Sequence, residues 1–126
     1  MKLREGNIEH ALIYYERQSK AEPKQSNIIL HKLQDADTLK DILHKIFPVD
    51  VIVEKKREIY FIDNVKFLID EVPPFGNFIE IDAIDENDTL SVDKLRQQCE
   101  EYMLALDIKS EDLLTHSYSD MLKGKL

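Results

Sequence analysis

The stretch from Val49 to Ile84 constrains this chain more than any other. It is rich in apolar and β-branched residues, largely alternates with charge, and is cut twice by turn signals: Asp63-Asn64 and Pro73-Pro74-Phe75-Gly76. Alternation of apolar and polar side chains marks a half-buried strand, and Asn, Asp, Pro and Gly clusters mark where strands stop. The reading is a meander. A long strand is expected over Val49–Ile62, a second over Val65–Val72 and a third over Asn77–Ile84. Strands joined by tight turns pair antiparallel.

The rest of the chain fits around that unit. Met1–Glu5, His10–Arg17 and Ser26–Leu33 read as three further strands, separated by a Gly6-Asn7 turn and a polar loop, Ser19–Gln25, that contains Pro23. A helix follows, with Asp35 or Asp37 as its cap and Pro48 as its stop. Its stripe is Leu39, Ile42, Leu43, Ile46 and Phe47, one face at helical spacing. A second helix is expected over Val92–Leu106, capped by Ser91, with Val92, Leu95, Cys99, Tyr102, Met103 and Leu106 as its stripe. A short third helix is expected near Glu111–Thr115, and a last helical turn within His116–Leu126. Both long stripes are expected in the core. The order βββ-α-βββ-α-α implies an α+β fold, one domain over residues 1–126, with helices on a largely antiparallel sheet.

Composition closes off several functions. Seventeen Lys and Arg against 25 Asp and Glu give a net charge of −8, which argues against a general nucleic-acid binder. A single cysteine, Cys99, excludes a disulfide framework and a cysteine-ligated zinc site. It lies on a helix stripe and reads as an inert core thiol. No apolar run approaches the ~18 residues of a membrane helix. No hydrophobic stretch follows Met-Lys-Leu-Arg-Glu-Gly, so the expected location is cytoplasmic. His10, His31, His44 and His116 are scattered without metal-site spacing, and no glycine-rich phosphate loop is present.

The informative charges sit inside strands, where residues i and i+2 share a face. Lys2 and Arg4 point the same way, as do Lys55 and Arg57, Tyr15 and Arg17, and the acidic pair Glu80 and Asp82. Ile79, Ile81 and Ala83 make the opposite, apolar face of the last strand. Like charges side by side on a strand repel unless an opposite charge lies between them. Basic pairs suit phosphate oxygens, and an acidic pair suits a hard divalent cation that also binds phosphate. A polar face carrying both is expected to hold a polyphosphate–metal complex. The plainer reading of each pair is a water-facing strand surface.

These residues also resemble a known family. Val53, Lys55 and Arg57, then Asp70 and Val72, then Gly76, Phe78, Glu80 and Asp82 are similar to the V-x-K-x-R, D-x-V and G-x-F-x-E-x-E elements of the CYTH superfamily. These are the triphosphate tunnel enzymes, among them class IV adenylyl cyclases and thiamine triphosphatases. Leu3-Arg4-Glu5-Gly6, Tyr15 with Arg17, Lys24 with Ser26, and Ser117-Tyr118-Ser119-Asp120 resemble further family elements. The resemblance implies a tunnel-shaped antiparallel β-barrel, here partial or open, with flanking helices. It implies phosphate ligands at Lys2, Arg4, Arg17, Lys55 and Arg57, metal ligands at Glu80 and Asp82, and Mg²⁺ or Mn²⁺ as cofactor. Asp82 stands where the family has Glu, one methylene shorter. The family's N-terminal E-x-E-x-K strand is not in the sequence, which therefore reads as N-terminally incomplete. Unclosed strand edges favour pairing with another copy, so a homo-oligomer is expected.

Three functions follow from this reading. One is a metal-dependent hydrolase or cyclase acting on a nucleoside triphosphate, thiamine triphosphate or tripolyphosphate. The second is a non-catalytic polyphosphate- or nucleotide-binding module. The third is a truncated, inactive paralogue. None involves nucleic acid or a membrane.

Overall fold

A two-residue turn at Asp63-Asn64 fixes the central hairpin in the computed structural model, which describes residues 1–17 and 23–124. Asp63 takes a positive φ of 51°, the left-handed conformation that tight hairpin turns need and that Asp tolerates. The elements along the chain are β1 (Lys2–Glu5), β2 (His10–Arg17), β3 (Ser26–Leu33), α1 (Asp37–Ile46), β4 (Lys56–Ile62), β5 (Val65–Val72), β6 (Gly76–Ala83), α2 (Val92–Ala105), a 3₁₀ turn (Ser110–Asp112) and α3 (Tyr118–Leu122). The fold is α+β. The described strands form two antiparallel sheets of three, in the orders β1-β2-β3 and β4-β5-β6. No helix among the described residues is long and apolar enough to cross a membrane.

The chain divides into two compact units. One is Met1–Gln18 with Gln25–Asp50, and the other is Ser19–Lys24 with Val51–Leu126. In the first, Lys2 lies opposite Ile13 and Arg4 opposite Ala11, and β2 pairs with β3 from His10–Leu33 to Arg17–Ser26. Ala11 and Ile13 are buried, so the basic pair shares its face with the buried residues rather than lying opposite them. Long basic side chains cover apolar neighbours with their stems while their charges reach water, so the two coexist. Ala36 caps α1, and the Asp35 side chain accepts from the Asp37 N–H at 3.2 Å. The expected core stripe of α1 is not a core: none of its residues is buried, and Ile42, Ile46 and Phe47 are exposed. Helical periodicity identifies one apolar face, but not what covers it.

The second unit is built on β5. Val65, Phe67, Leu68, Asp70 and Val72 of this central strand are all buried. α2 packs on one face of the sheet, with the Tyr102 ring edge-on to Phe67 at 4.9 Å and Cys99 Sγ 3.9 Å from the Ile81 carbonyl, but its expected core stripe holds no fully buried residue, and Val92 and Leu106 are exposed. Ser91 caps α2 as expected, accepting from the Lys94 N–H at 3.1 Å. Asn64 and Gln98 exchange two amide hydrogen bonds of 2.9 Å, tying the hairpin turn to the helix. α3 packs on the opposite face through Tyr118, whose ring lies 5.3 Å from that of Phe78.

Several element boundaries differ from expectation, among them β6, which runs Gly76–Ala83 rather than Asn77–Ile84. β4 begins at Lys56, not Val49: its ladder with β5 starts at Lys56–Glu71, and residues 49–55 pair in neither of the two described sheets. Where β5 turns into β6, Gly76 has φ 106°, a conformation that disfavours any side chain. The helix expected near Glu111–Thr115 is only the 3₁₀ turn, where the Asp112 side chain accepts from the Lys109 N–H at 3.0 Å. Such local side-chain bonds compete with helix propagation.

Candidate phosphate site

The register of the second sheet sets three rows of side chains on one face. They are Arg57–Asp70–Phe78, Ile59–Leu68–Glu80 and Phe61–Lys66–Asp82, with Lys55 preceding β4 at the parity of Arg57. Arg57 and both acidic residues singled out from the sequence therefore belong to one face of one sheet, and Lys55 lies just before the strand that carries Arg57.

Arg57 is held by a fork of two hydrogen bonds. Its Nε donates to Asp70 Oδ1 at 2.6 Å and its Nη2 donates to Oδ2 at 2.7 Å. The Asp70 side chain is wholly buried and that of Arg57 is 14% exposed. A bidentate pair of this kind fixes the guanidinium plane as well as neutralising it. Burial works against the Arg57 charge, but the Asp70 carboxylate more than offsets it and keeps the guanidinium firmly protonated. Burial likewise favours neutral Asp70, yet the bonds from Arg57 and from the Tyr118 hydroxyl hold its carboxyl below the usual range. Tyr118 donates to Asp70 Oδ2 at 2.9 Å. Lys55 Nζ sits 5.1 Å from the centre of the Tyr118 ring, a cation–π contact. Arg57 Nη2 also lies 3.6 Å from Glu80 Oε2.

The acidic pair is electrostatically strained. Burial first, then the Glu80 charge and a hydrogen bond with it, push the Asp82 carboxyl up to about 7, while Lys66 and Arg57 pull it down. Two adjacent carboxylates compete to stay charged unless a proton or a cation is shared between them. That donor chemistry fits a hard divalent ion, which is commonly held by one or two carboxylates together with phosphate oxygens. Among the described residues no three His, Cys, Asp or Glu gather as a ligand set.

The expected basic residues of the first unit sit in a different setting. Arg4 Nη1 pairs with Glu9 Oε2 at 3.1 Å, both about a quarter exposed. Lys2 Nζ lies 5.5 Å from the centre of the Tyr15 ring. The side chain of Arg17 lies outside the described residues. Lys2 and Arg4 belong to the first unit, and Lys55, Arg57, Glu80 and Asp82 to the second.

Three residues of the second face carry roles that strand parity alone did not assign. Lys66 stands directly opposite Asp82, and Asp70 directly opposite Arg57. The second follows from counting outward from Asp63-Asn64; the first does not, because Gly76, read as part of the turn, pairs with Val72 and shifts the register by one. Tyr118 carried no such signal, because it arrives from 48 residues beyond Asp70.

Comparison with known proteins places the chain in a family. The sequence matches the CYTH domain family over residues 1–118, and the chain belongs to that family, whose members bind triphosphates and generally use divalent metals. No curated protein matches it. The fold is similar to that of the PH1012 protein from Pyrococcus horikoshii OT3, with a TM-score of 0.76 at 23% identity over 90% of this chain and 67% of that one. It is also similar to a conserved hypothetical protein from Pyrococcus furiosus, with a TM-score of 0.74 at 18% identity over 89% of this chain and 66% of that one. The chain thus spans about two thirds of the length of each relative, and at these identities the likeness is one of fold.

Proposed function

We propose that this CYTH chain binds a triphosphate compound (a nucleoside triphosphate, thiamine triphosphate or tripolyphosphate) together with Mg²⁺ or Mn²⁺. The observation that carries this reading is the second sheet's polar face. There Arg57 is locked by a buried carboxylate, Lys55 is two residues away, and a strained acidic pair stands on the same face. In this reading Lys55 and Arg57 hold phosphate oxygens. Arg57 has Nη1 remaining after Asp70 takes Nε and Nη2. Glu80 and Asp82 would hold the divalent ion, which when bound neutralises charge on the phosphoryl oxygens. Lys2, Arg4 and Arg17 are further candidate phosphate ligands, carried by the first unit. Pairing of free strand edges between copies makes a homo-oligomer, and the protein works in the cytoplasm on a small molecule.

The test is phosphate release from ATP, thiamine triphosphate and tripolyphosphate with Mg²⁺ or Mn²⁺, alongside calorimetric binding of the same compounds. Turnover lost in Glu80→Gln supports hydrolysis. Pyrophosphate and a cyclic nucleotide from ATP instead support cyclisation. Metal-dependent binding without turnover makes the chain a binding module. Absence of binding at any metal concentration rejects the reading.

A further inference from the structure

We propose that Tyr118 is a positioning residue that holds Lys55 and Arg57 at a fixed spacing, so that the pair grips two phosphates of a polyphosphate rather than one. This deepens the function proposed above and rests on it. Lys55, just before β4, and Arg57 within it are like charges two residues apart, both tied to Tyr118, and their ends repel. One side chain meets both constraints. The Tyr118 hydroxyl donates to Asp70 Oδ2, the same oxygen that accepts from Arg57 Nη2. Its ring lies beneath the Lys55 ammonium at 5.1 Å and is backed by Phe78 at 5.3 Å.

Asp70 is wholly buried, so the tyrosine hydroxyl fixes which way that carboxylate faces, and the carboxylate fixes the guanidinium plane. The electron-rich ring face holds the ammonium beside it. Burial and the Asp70 charge push the Tyr118 phenol well above its ordinary value, so the hydroxyl remains a donor at any physiological pH. The helix that presents it is itself secured. Ser117 Oγ accepts from the Asp120 N–H at 3.2 Å, Asp120 accepts from the Ser117 N–H at 3.3 Å, and Met121 is buried. The residue therefore belongs to a preorganised site, in which geometry is set before the ligand arrives.

The experiment compares the full chain with Tyr118→Phe, which keeps the ring and removes the hydroxyl, and with Ser117→Ala, which loosens the helix and keeps both. Two readouts are taken. One is the slowly exchanging Arg57 Nε–H signal in ¹⁵N NMR of the unliganded protein. The other is calorimetric affinity for tripolyphosphate and for orthophosphate, with Mg²⁺. In Tyr118→Phe the Nε–H signal should broaden or exchange faster. Tripolyphosphate affinity should fall about tenfold, the scale of one hydrogen bond to a charged group. Orthophosphate affinity should change far less. Ser117→Ala should move both readouts the same way by a smaller factor, and it serves alone if Tyr118→Phe does not fold. An unchanged Nε–H signal, or an equal loss for both anions, overturns the proposal. If the parent chain binds neither anion, the function proposed above fails. The Nε–H comparison then decides the positioning claim by itself: faster exchange supports it and no change rejects it.

Discussion

The two sheets have the same plan, three antiparallel strands in sequence order, and a strand of each carries an arginine singled out from the sequence, Arg4 and Arg57. They treat it differently. In the first, Arg4 meets Glu9 where both are partly exposed, and the strand β3 beside the centre leaves Ile28, Ile29 and Leu30 exposed. In the second, Arg57 meets a carboxylate with no exposure at all, in a central strand that holds most of the buried residues. A charge on a strand becomes part of a built site when its counter-charge is buried across the ladder. Water screens the first arrangement and is kept from the carboxylate of the second.

The sharpest way to break this contrast is to remove one carboxylate from each sheet. Asp70→Ala leaves Arg57 charged and without its buried partner, and should lower unfolding stability by about 3–5 kcal/mol. Glu9→Ala should change it by less than about 1 kcal/mol. Urea denaturation of the two variants checks both, and equal losses would erase the distinction. Apolar truncation should follow the same division. Leu68→Ala, in the buried strand, should lose about 2–5 kcal/mol, the ordinary penalty for a core leucine. Ile29→Ala, at a residue 70% exposed, should stay within about 0.5 kcal/mol.

Acid should act on the second unit through Asp70. Its carboxyl is held below the ordinary range in the folded chain, so the unfolded chain binds the proton more readily. The stability it supplies is complete above the unfolded carboxylate value near ~4, and is lost as pH falls through the lower folded value. Asp70→Asn should remove that part of the acid slope, as measured by denaturation between neutral and strongly acidic pH. The smallest expected effect is at a helix end. Ser91→Ala removes the cap on α2 and should lose about 1 kcal/mol in the same assay.

Much of this was legible in the strand pattern. Asp63-Asn64 as a two-residue turn puts Arg57 opposite Asp70 by counting alone, but Lys66 opposite Asp82 was not countable, because Gly76 pairs with Val72 where the sequence reads as turn. The parity of Lys55, Arg57, Glu80 and Asp82 was readable in the same way. What was not readable depends on long-range packing. The Val49–Lys55 segment has strand-like composition, but it pairs in neither of the two described sheets. The stripe of α1 has the right period, but packing leaves Ile42, Ile46 and Phe47 exposed. Tyr118 matches a family element, but its bond to Asp70 depends on where the tail folds back.

The central claim is that the second sheet's polar face holds polyphosphate, and two neighbouring lysines test it most directly. Lys55 shares the parity of Arg57, whereas Lys56 lies opposite Glu71 on the other face. Calorimetric titration of tripolyphosphate with Mg²⁺ into the parent chain, Lys55→Ala and Lys56→Ala changes the net charge equally in both variants. Binding weakened about tenfold or more in Lys55→Ala and nearly unchanged in Lys56→Ala is the predicted result, the scale of one charge-assisted contact. Equal weakening in the two variants, or no binding by the parent chain, would contradict the account.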